Sequence, residues 1–470
     1  AWTRGQLNDG SFIAYGFGWG VDTWRGHRVI RHTGSWVGFR NIIWLLPDED
    51  LSIVILGNRT DLERSDLAAA IASLYVTGRG NVFLPDESRE SMIAHHRRIP
   101  DDDHWWNVRG PEQGWLHRNL QSIFPTQPIY RSGQVRELEY ALDPRIGDVE
   151  IDTPDGKWPF RWAIDADFMT TMGVVILHEG KVAFESYPRM HDYEKVTYWS
   201  STKVLAGAII RLLEEQGKID ISKPIEYYVP RLADSVHAGT TVQNVLDMAT
   251  GVDCAENYEN PESCYYRYSE AIGDNLRDED SPDDPYEFLA TVEIERTGEQ
   301  GTQFVYSGAS NFLAMWIIEE VTGATFADAL TKYFWTQIGA EHDAAILAYR
   351  YGISLSHGGF ISSMRDLARL GLLYTPSWNV VSDRKIITDE HIEALSTADR
   401  PGLRPTAYSW GNRDENGWIS HGGWGGQGFI VNPEKDVVAV FTSYTKQDYS
   451  ELSTEKAVMQ VLNAVYGDDD

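Results

Sequence analysis

The sequence predicts an α+β domain whose sheet is closed by strands from its two ends. Apolar strand pairs stand early, in "TMGVVILHEGKVAFESY" (171–187), and late, in "WISHGGWGGQGFIVNPEKDVVAVFTS" (418–443). Helical periodicity fills the stretch between them, at roughly 241–249, 311–321 and 364–374.

The elements before that domain repeat part of it. Residues 12–57 read as a β meander, and "SDLAAAIASLYV" (65–76) reads as a helix. The late segment has the same order: a His-x-Gly, a Gly-rich bend, an apolar strand, a Pro-acid turn, a second apolar strand and a helix. His32-Thr33-Gly34 thus corresponds to His421-Gly422-Gly423, nearly 390 residues later. That spacing is the size of a whole domain, so residues 1–80 read as a partial copy of a domain's C-terminal tail. Residues 81–105 are polar and charged and read as a linker, and 106–470 as the complete domain. The strands "NIIWLL" and "SIVIL" are costly to leave in water. The partial copy is therefore expected to be buried, on its own chain or in a neighbouring one, and an oligomer through residues 1–80 stays open.

Composition limits the function classes. The chain has 470 residues, 42% of them hydrophobic, and 17 tryptophans, which indicates a globular protein with a sizeable core. Its net charge of -29 disfavours nucleic acid and anionic membrane surfaces as partners. No apolar run approaches the length of a membrane span. The protein is expected to be soluble, with periplasmic, secreted and cytoplasmic locations all open. Cys254 and Cys264 can pair or stay reduced, and they lack the companions of a zinc site. No P-loop, H-E-x-x-H or G-x-S-x-G motif is present. No cofactor or metal is expected.

"VTYWSSTKVLAGAIIRLLEEQGKID" (196–220) places Ser200 three residues before Lys203 at the head of a helical pattern that Gly217 ends. Ser-x-x-Lys occurs four times, at Ser200, Ser382, Ser443 and Ser453, but only the first reads as opening a helix at the serine. A serine in a first helical turn meets free N–H groups and the positive end of the dipole, which suits a nucleophile that generates an oxyanion. Helix capping by Ser200, Ser201 or Thr202 is the plain alternative. Later come Tyr306, at a short turn before an apolar helix, and His421-Gly422-Gly423 on a late strand.

With "SSTK", "YSG", "GGFISSMRDLARLG" and "HGGWGGQGFIVNPE" in this order, the chain resembles the serine β-lactamase and penicillin-binding protein superfamily. The resemblance is to its branch of class C β-lactamases, family VIII carboxylesterases and 6-aminohexanoate-dimer (nylon-oligomer) hydrolases. It spans about 120–470 and implies a β-lactamase/transpeptidase-like fold, a central antiparallel sheet flanked by helices with a mostly helical subdomain. It implies Ser200 as nucleophile, Lys203 as general base or proton relay and Tyr306 as a proton-transfer group. His421, Gly422 and Gly423 match the substrate strand. The backbone N–H groups of Ser200 and Trp424 form the expected oxyanion pair. Gly308 stands where the lactamases have asparagine, and His421 where they have lysine, so an esterase or amidase is expected ahead of a true β-lactamase.

Burial is expected to disfavour the charge on Lys203, so that it accepts a proton near neutral pH. A second His-Gly-Gly, at 357–359, reads as a decoy that opens a helix. The stretch 253–287 holds twelve carboxylates and the tyrosines Tyr258, Tyr265 and Tyr266. It reads as a solvated acidic flap or, alternatively, as a specificity loop favouring amine-bearing substrates. The expected function is hydrolysis of a small ester or amide through an acyl-enzyme. The competing expectation is a penicillin-binding-like sensor or partner-binding module that is acylated without turnover.

Overall fold

The computed structural model describes residues 2–8, 12–24, 27–60, 62–76, 106–153, 156–166, 168–277, 279–397, 403, 408–446 and 453–467. The expected linker, 81–105, lies outside them. The chain divides into two compact units, one of Ala1–Asp86 with Ser186–His191, the other of Glu87–Glu185 with Asp192–Asp470.

The first unit is built on a four-stranded antiparallel meander of Gly20–Trp24, His27–Trp36, Phe39–Leu46 and Leu51–Gly57. The helix Arg64–Val76 follows, and Ala68 and Ala72 pack with Val29, Ile42, Trp44, Leu46 and Ile53 in a common core. Strand alternation sends Val54 and Leu56 to the opposite side, where they are 59% and 80% exposed. One face of these strands is thus buried within the unit, and the other is exposed in the single chain.

The second unit carries a six-stranded sheet. Its order is Lys181–Ser186, Thr171–His178, Val437–Ser443, Gln427–Asn432, Ile419–Gly423, Asn412–Arg413. Thr171–His178 pairs antiparallel with Val437–Ser443, so strands from the two ends of the domain do close the sheet. Val437, Ala439 and Phe441 face the C-terminal helix Thr454–Tyr466 through Ala457, Val458, Val461 and Leu462. On the other face Gly371, in the helix Met364–Leu372, sits against Val438 and Phe429. Burial on both faces explains why these strands read as continuous apolar runs rather than as alternating ones.

A smaller antiparallel sheet of Val196–Thr197, Phe360–Ser362, Ala344–Leu347 and Thr126–Ile129 lies beside the start of the helix Lys203–Glu215. The helices Val242–Leu246, Cys264–Ile272, Pro285–Thr291, Gly308–Thr322 and Phe326–Tyr333 make up the helical part.

Candidate active site

A 3-10 turn, Trp199–Thr202, precedes the helix Lys203–Glu215 and presents Ser200. Trp199 holds a φ of +43°, a left-handed conformation costing about 1–2 kcal/mol in a side-chain-bearing residue, and such strain concentrates at functional sites. None of the three hydroxyls caps the helix. Ser201 Oγ donates to the His421 carbonyl at 2.8 Å, and Thr202 Oγ1 accepts from the Phe360 N–H at 3.1 Å. Ser200 Oγ accepts from Lys203 Nζ at 3.0 Å. The capping alternative is thereby excluded for this turn. Among the other pairs, Ser453 does open a helix, as a true cap whose Oγ accepts from the Lys456 N–H. The sequence pattern of a helix-opening Ser-x-x-Lys is therefore shared by two sites.

Lys203 is fully buried. Its Nζ also donates to the His357 carbonyl at 3.1 Å and lies 3.1 Å from Glu256 Oε1. The Tyr306 ring centre is 4.6 Å away. Burial alone would lower the lysine's pKa, but Glu256 and Tyr306 outweigh it and raise the pKa above its ordinary value. The expectation of a lysine made neutral by burial is corrected here, because the Glu256 carboxylate lies against it.

Tyr306 precedes the helix Gly308–Thr322, whose Asn311 donates through Nδ2 to the Lys203 carbonyl at 3.1 Å. The His421 and Tyr306 rings are 6.5 Å apart, and His421 Nδ1 lies 2.7 Å from the Gly422 carbonyl. Gly423 runs so close to the Tyr198 carbonyl that a Cβ would collide with it, which brings the strand Ile419–Gly423 against the turn that bears Ser200. Trp424, just beyond that strand, meets Trp106 edge-on at 5.8 Å, and Trp106 meets Tyr258 at 4.6 Å. A pocket beside Tyr306 and His421 is lined further by Leu246, Asp247, Met248 and Phe304.

The acidic stretch 253–287 is not a solvated flap throughout. Its helix Cys264–Ile272 is largely buried, and a disulfide joins Cys254 to Cys264. Tyr258 and Tyr265 share a hydroxyl contact of 3.0 Å. A side chain at Gly308 would meet the Tyr265 hydroxyl at 2.6 Å and the His357 ring at 2.7 Å, so the space beside Gly308 is already filled. Tyr266 is buried on the same helix. His357 is no decoy either. A strand, Phe360–Ser362, follows it before the helix, and its ring faces Tyr268 at 3.2 Å and Asp274 at 3.8 Å. Sequence reasoning missed Glu256, His357 and Trp106. The repeated His-Gly-Gly was the signal that could have found His357.

A β-lactamase family model matches residues 3–76 and 164–463. The chain belongs to the β-lactamase family. A relative of this β-lactamase-family chain, the 6-aminohexanoate-dimer hydrolase of Paenarthrobacter ureafaciens, is 30% identical over 358 residues, covering 73% of this chain and 87% of the relative. A solved structure from Bacillus anthracis, provisionally named a 6-aminohexanoate-dimer hydrolase, superposes with a TM-score of 0.69 at 22% identity, over 79% of this chain and 97% of its own. A family VIII carboxylesterase superposes with a TM-score of 0.51 at 14% identity, over 70% and 99%. The two structural likenesses establish the β-lactamase/transpeptidase-like fold. The family and its hydrolase and esterase members make this chain an enzyme of the serine-hydrolase type. No helix among the described residues is long and apolar enough to cross a membrane.

Proposed function

We propose that this protein cleaves small esters or amides, linear amino-acyl amides among them, through an acyl-enzyme on Ser200. The observation that carries the reading is the 3.0 Å contact between Ser200 Oγ, half-buried at the lip of the site, and the fully buried Lys203 Nζ. Ser200 Oγ attacks the substrate carbonyl, forming a C–O bond and an oxyanion that the Ser200 and Trp424 N–H groups receive. Each such donor is worth about 3 kcal/mol in the transition state. The lysine ammonium steadies the developing alkoxide, and the Tyr306 oxygen takes up the serine proton as its own hydroxyl proton goes to the leaving oxygen or nitrogen whose bond to carbon breaks. Water then releases the acid by the same steps in reverse. The name of the Paenarthrobacter relative and the carboxylates of 253–287 support amine-bearing acyl groups as substrates.

The test is labelling by a fluorophosphonate together with turnover of a p-nitrophenyl butyrate ester. Both are expected to vanish in Ser200→Ala and to persist in Ser201→Ala. Labelling that survives in Ser200→Ala overturns the assignment, and a burst of p-nitrophenol with no steady state favours the acylated sensor instead. The first unit holds His32-Thr33-Gly34 with no Ser-x-x-Lys, so residues 1–80, proposed as a partial domain copy, contribute no second nucleophile of this kind.

A further inference from the structure

We propose that Glu256 is a positioning residue that fixes the charge of Lys203 and, through it, the pH range over which Ser200 is reactive. The proposal rests on the reading of Ser200 and Lys203 given above and adds a residue to it. The buried Nζ donates to Ser200 Oγ at 3.0 Å and to the His357 carbonyl at 3.1 Å, and Glu256 Oε1 lies 3.1 Å from it as an ion pair. The Ser200 hydroxyl can donate as well as accept and so suits either form of the amine, whereas the His357 carbonyl and the Glu256 carboxylate can only accept. A carboxylate beside the amine favours its charged form, and of the three neighbours only Glu256 carries a compensating charge.

The carboxylate is held there from two sides. The Glu256 N–H donates to the Tyr306 carbonyl at 3.1 Å, which ties it to the proton-transfer tyrosine. Cys254, two residues earlier, is anchored by its disulfide to the head of the helix Cys264–Ile272. The Glu256 side chain is 17% exposed and that of Lys203 not at all, so little solvent screening separates the two charges.

Other titratable groups face the pair. From the lysine's side there is Tyr306, with His421 beyond it. From the disulfide loop and its helix come Tyr258, Tyr265 and Tyr268, each pushed well above the ordinary tyrosine range by burial first and by carboxylates that include Glu256 second. They stay neutral and cannot replace its charge. Asp274 is directed at the His357 ring, 3.8 Å away, rather than at the lysine.

The experiment measures the rate of Ser200 acylation by p-nitrophenyl acetate in single turnovers between pH 5 and 10, for the wild type, Glu256→Gln and Glu256→Asp. Removing the charge takes away the larger influence opposing burial on Lys203 and leaves Tyr306 as the other, so the limb of the profile that the lysine governs is expected to move toward acid by about one pH unit or more in Glu256→Gln. Glu256→Asp keeps the charge one methylene further away and is expected to move it less. A merely structural Glu256 would lower the rate without moving the limb. Profiles of both variants that superimpose on the wild type overturn the proposal, and if Glu256→Gln does not fold, an unmoved Glu256→Asp profile does so alone. Fluorophosphonate labelling of the wild type that is lost in Ser200→Ala checks the nucleophile separately, so failure of either reading shows on its own.

Discussion

At the scale of single residues, the site depends on close backbone approach as much as on reactive groups. Gly423 leaves no room for a Cβ beneath the Tyr198 carbonyl, and that carbonyl belongs to the residue leading into the strained Trp199. Gly423→Ala is expected to push the substrate strand away from Ser200, cost about 1–3 kcal/mol as overpacking does, and lower kcat/KM at least tenfold. Thermal unfolding and ester turnover measured side by side check it, and unchanged turnover would show that the strand has room to give. Ser200, Lys203, Tyr306 and His421, the residues of the proposed site, were picked from motif order along the chain, and their contacts with one another are what the fold adds. Glu256 was not picked, because an acid in an acid-rich stretch carries no spacing signal, and only the fold shows that it faces a buried lysine.

Among the elements, the helix Cys264–Ile272 shows how composition can hide structure. Tyr265, Tyr268 and Ile272 stand at i, i+3 and i+7 and are all buried, yet the surrounding carboxylates made the stretch read as a flap. The disulfide at its head closes a short loop with a sequence separation of 10. On chain-entropy grounds such a crosslink contributes about 2.5 kcal/mol. The double variant Cys254→Ser, Cys264→Ser is expected to unfold at correspondingly lower urea. It should also lose acylation rate before it loses global structure, because Glu256 sits inside that loop. Circular dichroism and burst kinetics over one denaturant series test this, and coincident transitions for the two signals would detach the loop from the chemistry.

For the molecule as a whole, the expected antiparallel sheet with helices is present, and its seam between early and late strands was readable from apolar runs alone. What could not be read was burial of polar groups deep in the second unit. His117, His237 and His391 are buried, and burial pulls their pKa values down to about 3, 4 and 3. These folded values lie below the ordinary 6.5, so the unfolded chain binds protons more readily. The stability these groups contribute is fully present above pH 6.5 and is lost as pH falls toward 3. Each is expected to cost about 1.4 kcal/mol per pH unit within that window. Urea midpoints at pH 7, 6 and 5 should fall in steps, and a flat series would mean that these imidazoles reach solvent.

The seam has a consequence in time. Thr171–His178 finds its partner in Val437–Ser443, roughly 260 residues later. At about 5–20 residues per second, a ribosome takes on the order of tens of seconds to make that stretch. Throughout it Val174 and Ile176 have no neighbouring strand on that side, and the turn bearing Ser200 lacks the strand that carries His421. The proposed nucleophile turn is thus assembled only once the strand Ile419–Gly423 has been made, and a nascent chain halted earlier carries Ser200 without the carbonyl of His421 that holds the turn in place.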